Sequence, residues 1–283
     1  MQTIQQLSDR LYYLPPYPKT DRPILAAVVG DTHTLIIDAG NSAEHAKLFK
    51  QQLSAHEIYG DLLALTHWHW DHVFGLQEMN LPSVANNLTF QGIQNLQRYS
   101  WDDQALDRRV EQGIEIPFCA DAIKLEFGDE RNIFIPDPTL TFDQQIKLNL
   151  GGVSCMIEHV GGDHSPDSTL IYIPEEKMLF LGDCLYANMY AEKWHYTTEN
   201  ITILLEKIDE FDAETFFLSH HPAPLNKNEF SSFQSLMRMC ARLAEKHQGE
   251  PDSMIREMVS LLQRDLNEEE QEILGYFVNG IRI

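Results

Sequence analysis

Short apolar runs broken by turn residues open the chain. Leu11 to Leu14, Ile24 to Val29 and Thr34 to Asp38 read as strands, separated by a Pro-rich loop and a Gly-Asp-Thr-His turn. Pro15, Pro16 and Pro18 make that loop irregular and place it at the border of a site. Helical spacing takes over after Asp38-Ala39-Gly40: Asn41 with Glu44 has the form of a capping box, and Ala46, Phe49 and Leu53 follow on one face. Leu62 to Leu65 is a continuous apolar run, the mark of a buried strand. Residues 80–120 are polar, with scattered Ile93, Leu96, Tyr99, Leu106 and Val110. They predict one or two helices inserted as a lid or as a solvated decoration, with Trp101 as the lid aromatic or the helix anchor.

Strands return from Ala122 to Leu181: Lys124 to Phe127, Asn132 to Ile135, Thr139 to Phe142, Gln145 to Leu150, Val153 to His159, Ser168 to Ile173 and Met178 to Leu181. Gly151-Gly152 between two of them is a two-residue hairpin turn. Asn200 opens a helix with Ile201, Leu204, Leu205 and Ile208 on one face, and Thr215 to Leu218 is a further strand. Helical periodicity then runs to the end, through Phe230, Phe233, Met237 and Cys240. Two sheet-rich halves with helices outside imply stacked sheets in one domain over residues 1–283. The helical tail from 226 to 283 could cover the sheet edge or mate with another subunit, which leaves a homo-oligomer open.

Composition narrows the function. The chain has 283 residues, 43% of them hydrophobic, enough for a sizeable core. Its 21 Lys plus Arg against 43 Asp plus Glu give a formal charge of −22, which repels a phosphate backbone, so no nucleic-acid partner is expected. The longest apolar run, Ile24 to Val29, is too short to span a bilayer, and the first residues lack a signal-peptide pattern. The expectation is a cytoplasmic protein with no membrane partner and a small-molecule substrate. Cys119, Cys155, Cys184 and Cys240 are scattered with no CxxC pair, which suits reduced thiols rather than zinc ligands.

Chemistry concentrates at Thr66-His67-Trp68-His69-Trp70-Asp71-His72, directly after the strand at 62–65. Three imidazoles and a carboxylate so close together need several partners if buried, and a metal satisfies them all. Three further candidates also stand just beyond predicted strands: His164 in Gly161-Gly162-Asp163-His164-Ser165-Pro166, Asp183 in Leu181-Gly182-Asp183, and the pair His220-His221.

In these motifs and their order the chain resembles the metallo-β-lactamase superfamily, which carries HxHxDH after a strand, a His in a GHSPG-like turn, an Asp in a GD pair and a last His in a GHG-like turn. The resemblance covers about residues 10 to 225. It implies an αββα sandwich, here with a helical insertion and a helical tail, whose ligands gather at one edge of the stacked sheets. By that likeness His67, His69 and His164 hold a first metal, Asp71, His72 and His220 a second, and Asp183 bridges them. The chain departs from the pattern at Asp163, inserted before His164, at Asp167 where the family has Gly, and at His221 beside the favoured His220. The stretch Thr66 to Gly75 is similar to that of hydroxyacylglutathione hydrolases. Tyr186 is similar in placement to a tyrosine that assists lactone opening in homoserine-lactone hydrolases.

Imidazole and carboxylate suit two divalent ions, zinc first, with iron or manganese as alternatives. Such a pair shares a water and yields a hydroxide near neutral pH, so the expected activity is a dinuclear hydrolase of a small ester, thioester, lactone or lactam. Asp71 would orient the hydroxide, and Tyr186 would assist at the carbonyl oxygen. The segment from Tyr186 to Tyr196 reads as a site-facing loop, and Trp68 and Trp70 as walls of the site or as packing. The alternative is a mononuclear iron dioxygenase acting on persulfides, which resembles the same superfamily but uses only the first His set and the bridging Asp.

Overall fold

Alternation of side chains along the strands decides how the layers stack. In the computed structural model, which describes residues 2–282, the first sheet has seven strands adjacent in chain order. They are β1 (Gln5–Gln6), β2 (Leu11–Leu14), β3 (Leu25–Val29), β4 (Thr34–Ile37), β5 (Leu62–Ala64), β6 (Ser83–Asn86) and β7 (Leu140–Phe142). The pairs from β1 to β4 are antiparallel, and those from β4 to β7 are parallel. Parallel neighbours need crossovers, and helices supply each one. These are α1 (Ala43–Ser54), then the short α2 (Trp70–Val73) and α3 (Leu76–Met79), then α4 (Asn87–Leu96), α5 (Asp103–Glu111) and α6 (Pro117–Phe127).

The second sheet holds six strands: β8 (Gln145–Asn149), β9 (Ser154–His159), β10 (Thr169–Ile173), β11 (Met178–Gly182), β12 (Thr215–Leu218) and β13 (Leu225–Asn226). Helix α7 (Thr198–Ile208) links β11 to β12, which pair in parallel. Three helices follow: α8 (Lys227–His247), α9 (Pro251–Leu262) and α10 (Glu268–Ile281).

The central strands of both sheets are buried on both faces, which is why they read as unbroken apolar runs. In β3, Leu25 and Ala27 face the helices from α1 to α6, while Ala26 and Val28 face the other sheet. In β10, Ile171 and Ile173 meet that inner layer, while Leu170 and Tyr172 pack under α7 and α8. Phe180 of β11 stacks on Phe217 of β12 in the inner layer, ring centroids 4.1 Å apart. The result is the four-layer αββα sandwich. Gly151 and Gly152, with φ of 86° and 68°, make the tight turn from β8 to β9, closed by the Leu150 amide donating to the Val153 carbonyl at 2.9 Å.

Several expected elements differ. Lys124 to Phe127 is the last turn of α6, not a strand: Pro117 opens that helix, and Cys119, Ala120 and Ile123 bury against the first sheet. The two-residue alternation of Lys-Leu-Glu-Phe loses to that tertiary contact. Asn132 to Ile135 makes no strand either; Ile135 alone is buried, and the segment is followed by Pro136. Ser42, not Asn41, caps α1 by accepting from the His45 amide, whereas the Asn41 side chain donates to the Thr20 carbonyl at 2.7 Å. Helix α7 starts at Thr198, ahead of Asn200. Within 80–120, α4 and α5 belong to the outer helical layer: Ile93, Leu96 and Leu106 pack against the first sheet, and Trp101 sits edge-on to Phe74 at 4.7 Å. Trp101 is therefore a helix anchor.

Candidate metal centre

The motif after β5 is held by an aspartate. Asp38, just past β4 with φ of 60°, accepts from the Thr66 amide and the Thr66 hydroxyl, both at 2.8 Å. From there His67 and His69 alternate along extended chain, and α2 puts Asp71 and His72 on one helical turn. The other candidates come from the second sheet: His164 from the loop between β9 and β10, Asp183 just past β11, and His220 just past β12. At Gly182, φ is 54° and an added Cβ would come within 2.9 Å of the Thr66 Cβ, so only glycine lets the two sheet edges approach this closely.

Two clusters result. Ligand atoms of His67, His69 and His164 lie within 4.8 Å of one another, and so do those of Asp71, His72, Asp183 and His220. His69 Nδ1 is 3.0 Å from His164 Nε2, and Asp71 Oδ2 is 3.0 Å from His72 Nε2 and 3.1 Å from His220 Nε2. Asp183 stands between the clusters: its Oδ2 lies 3.5 Å from His164 Nε2, 3.5 Å from His72 Nε2 and 3.4 Å from His220 Nε2. His221 turns away, its Nδ1 2.6 Å from the Ala223 carbonyl.

Burial sets the charge states. It lowers the pKa of His67 and His164 and takes that of His69 down to about 3, leaving neutral imidazoles with a free lone pair. Burial acts the same way on His72 and His220. There the neighbouring carboxylates prevail, Asp71, Asp38 and Asp183 for the first and chiefly Asp183 for the second, and both pKa values rise. Conversely, these two histidines outweigh burial at Asp71 and Asp183 and hold both carboxyls ionised. Converging imidazoles and carboxylates are a cation's donor set, and His67 Nε2 and Asp183 Oδ1 are buried without any hydrogen-bond partner. The residues fit a pair of metal ions.

Two carboxylates that sequence reading did not single out for the site stand behind these histidines. Asp38 Oδ2 is 2.8 Å from His72 Nδ1, and Asp21 Oδ1 is 3.3 Å from His220 Nδ1. Each turns a ring so that Nε2 faces the cluster. Burial pushes the Asp21 carboxyl up to about 7 against the pull of His220. Asp38 had a signal, an acid ending an apolar strand beside a glycine; Asp21, in the Pro-rich loop, had none. The inserted Asp163 accepts from the Thr197 amide and hydroxyl and from Asn200, at 2.7 to 2.8 Å, and so ties the His164 turn to the start of α7. Asp167 is buried, accepts from the Ser165 hydroxyl, and has its pKa raised by burial.

The clusters open into a cavity of about 760 Å³. His69, Asp71, His164, Asp183 and His220 reach it, while His67 and His72 lie behind. Tyr186 is beside the floor, its ring 6.1 Å from those of His164 and His220, and burial keeps its hydroxyl protonated. From the 186–196 loop Met189, Tyr190 and Trp194 also line the cavity; Lys193 does not. Trp70 lines it too, whereas Trp68 packs on α4, where a Cβ on Gly92 would fall 2.2 Å from the indole. Pro16 and Pro18 form part of the rim, as the Pro-rich loop implied. Of the 80–120 segment only Ile116, Phe118 and Cys119 reach the cavity, and a large share of its cover comes from Phe233 of α8 and from Ile273 and Tyr276 of α10.

The sandwich, with these clusters at its sheet edge, belongs to the metallo-β-lactamase superfamily: that family's model matches residues 20–220. Among relatives, the chain is 23% identical over 193 residues to a beta-lactamase-like protein 2 homolog of Caenorhabditis elegans, covering 66% of this chain and 52% of that protein. It is 22% identical over 151 residues to a metallo-beta-lactamase type 2 of Bacteroides fragilis, covering 52% of this chain and 46% of that one. The chain thus spans about half the length of these relatives. Among solved structures, a metallo-beta-lactamase from Pontibacter korlensis superposes with TM-score 0.57 at 18% identity, over 83% of this chain and 98% of that one. The sec-alkylsulfatase Pisa1 from Pseudomonas sp. superposes with TM-score 0.68 at 13% identity, over 99% of this chain and 50% of that one. These likenesses show the fold. No helix among the described residues is long and apolar enough to cross a membrane, and all four cysteines are buried and free.

Proposed function

We propose that the protein is a dinuclear metal-dependent hydrolase of a small ester, thioester, lactone or lactam. The observation that carries this reading is the position of Asp183, within 3.5 Å of a histidine from each cluster, over buried ligand atoms that have no other partner. His67, His69 and His164 would hold one ion, and Asp71, His72 and His220 the other, with Asp183 shared. Two divalent ions bound there supply an acidified water and a Lewis acid for the substrate oxygen. Asp71 faces the cavity and is ionised, so it can accept a hydrogen bond from the attacking water and orient it. Tyr186, protonated beside His164 and His220, can donate to the oxygen on which negative charge develops.

Elemental analysis of protein purified without added metal tests the reading, together with the same count for His72→Ala. Two ions per chain falling to about one is the expected result. A single iron in both proteins would sink the dinuclear reading and direct the search to persulfides. Removing the shared or first-cluster ligand, by Asp183→Ala or His69→Ala, is expected to abolish ester hydrolysis while circular dichroism stays that of the folded protein; full retained activity would reject the mechanism.

A further inference from the structure

The metal clusters occupy only the floor of the cavity; its outer wall has a chemistry of its own. Among the described residues no lysine or arginine lines the cavity. Carboxylates do: Glu229 from α8, and Glu269, Glu270 and Glu272 from the first turns of α10. Of these, among the described residues, only Glu270 has a cationic partner, Arg264 at 2.5 Å. Trp194 and Tyr276 line the same cavity as an aromatic corner, their ring centroids 6.0 Å apart and tilted at 45° rather than stacked. The Tyr276 hydroxyl donates to Glu272, which enriches the ring in electron density. The two segments of the corner are tied together: the Asn279 side chain donates to the Trp194 carbonyl at 2.8 Å and the Tyr196 amide to the Tyr276 carbonyl at 3.2 Å.

From this juxtaposition we infer that the outer cavity is a subsite for a cationic group, a quaternary or protonated amine, carried on the arm of the substrate remote from the bond that is cut. Two ring faces and an adjacent carboxylate attract a weakly hydrated cation. The same carboxylates repel a carboxylate or phosphate at that position, which separates amine-bearing substrates from acidic ones. The wall also explains why the cavity is far larger than two ions and a carbonyl need: the apolar walls hold a spacer between the reacting group and the cation. Placing the reacting end at the floor rests on the hydrolase reading above; the cation subsite itself does not.

Choline and its uncharged isostere 3,3-dimethylbutan-1-ol form the test, with binding read by tryptophan fluorescence and calorimetry and a neutral butyrate ester assayed in parallel. Choline is expected to bind about tenfold more tightly than the isostere, within the range of a cation on aromatic faces. That difference should collapse in Trp194→Ala and shrink in Glu272→Gln, an exposed position where the fold is not at stake. Equal binding of the two probes, or a preference that both variants leave intact, overturns the subsite. If choline binds as expected and no ester is cut, the subsite stands and the hydrolase reading falls. If esters are cut and choline shows no preference, the reverse holds.

Discussion

Asp21 and Asp38 show how much of a site lies one residue beyond its ligands. Each carboxylate meets the Nδ1 side of a second-cluster histidine, and so fixes which nitrogen that ring presents. Such outer partners typically change metal affinity 10- to 100-fold. Asp21→Asn is therefore expected to weaken the second ion about tenfold and leave the first in place, as read by metal titration of stripped protein; equal loss of both ions would show that Asp21 acts on the fold instead. The residue scale is also where the sequence was most legible. His67, His69, Asp71 and His72 stand within one short motif, and the turns bearing His164, Asp183 and His220 could each be read from a strand followed by a ligand. Asp21 could not, since its partner lies 199 positions away by subtraction of the two residue numbers, in the other sheet.

At the scale of elements, what could be read depended on whether a segment's own pattern matched its tertiary role. Strands β3, β10 and β11, apolar on both faces, announced themselves as strands. Helix α6 did not, because Leu125 and Phe127 lie on its partly exposed side and mimic strand alternation, while Pro117 and the small residues Cys119, Ala120 and Ala122 do the packing. Its last turn also anchors the site's border: Glu126 accepts from Arg22 at 2.6 Å and from the Ser42 hydroxyl at 2.6 Å, tying the Asp21 turn to the cap of α1. Burial raises the Glu126 pKa, but the bonds from Arg22 and Ser42 prevail and bring it below the ordinary value. A depressed carboxyl pKa means stability that is present above the unfolded value of about 4.5 and lost as pH falls through the folded one. Glu126→Ala, which leaves Arg22 without its partner, is expected to cost about 3 kcal/mol in urea unfolding at pH 7. The difference from the parent should narrow in acid, and a constant difference would reject the assignment. Gly182→Ala tests the approach of the sheet edges: a left-handed alanine costs about 1 to 2 kcal/mol, and its Cβ would push Thr66 away from β11. Both a lower melting temperature and a lower metal count should follow.

For the whole molecule, the clusters join the two halves of the sandwich. Four candidate ligands follow β5 of the first sheet and three follow strands of the second, so bound ions would bridge the sheets as well as serve chemistry. Stripping them with a chelator is expected to lower the melting temperature reversibly, since each ion at a thousandfold excess over its Kd adds about 4 kcal/mol to the folded state. An unchanged melt would argue against a metal site.

The joint between α10 and the loop before α7 has a consequence of another kind. A Cβ on Gly280 would fall 1.9 Å from the Tyr196 carbonyl oxygen, so the late helix and that loop meet backbone to backbone. Every candidate ligand has been added to the chain by residue 220, but the part of the wall with Glu272 and Tyr276 is made more than fifty residues later by the same numbering. During synthesis the nascent chain therefore acquires all the groups that could hold metal before it acquires the Tyr276 and Glu272 half of the outer wall.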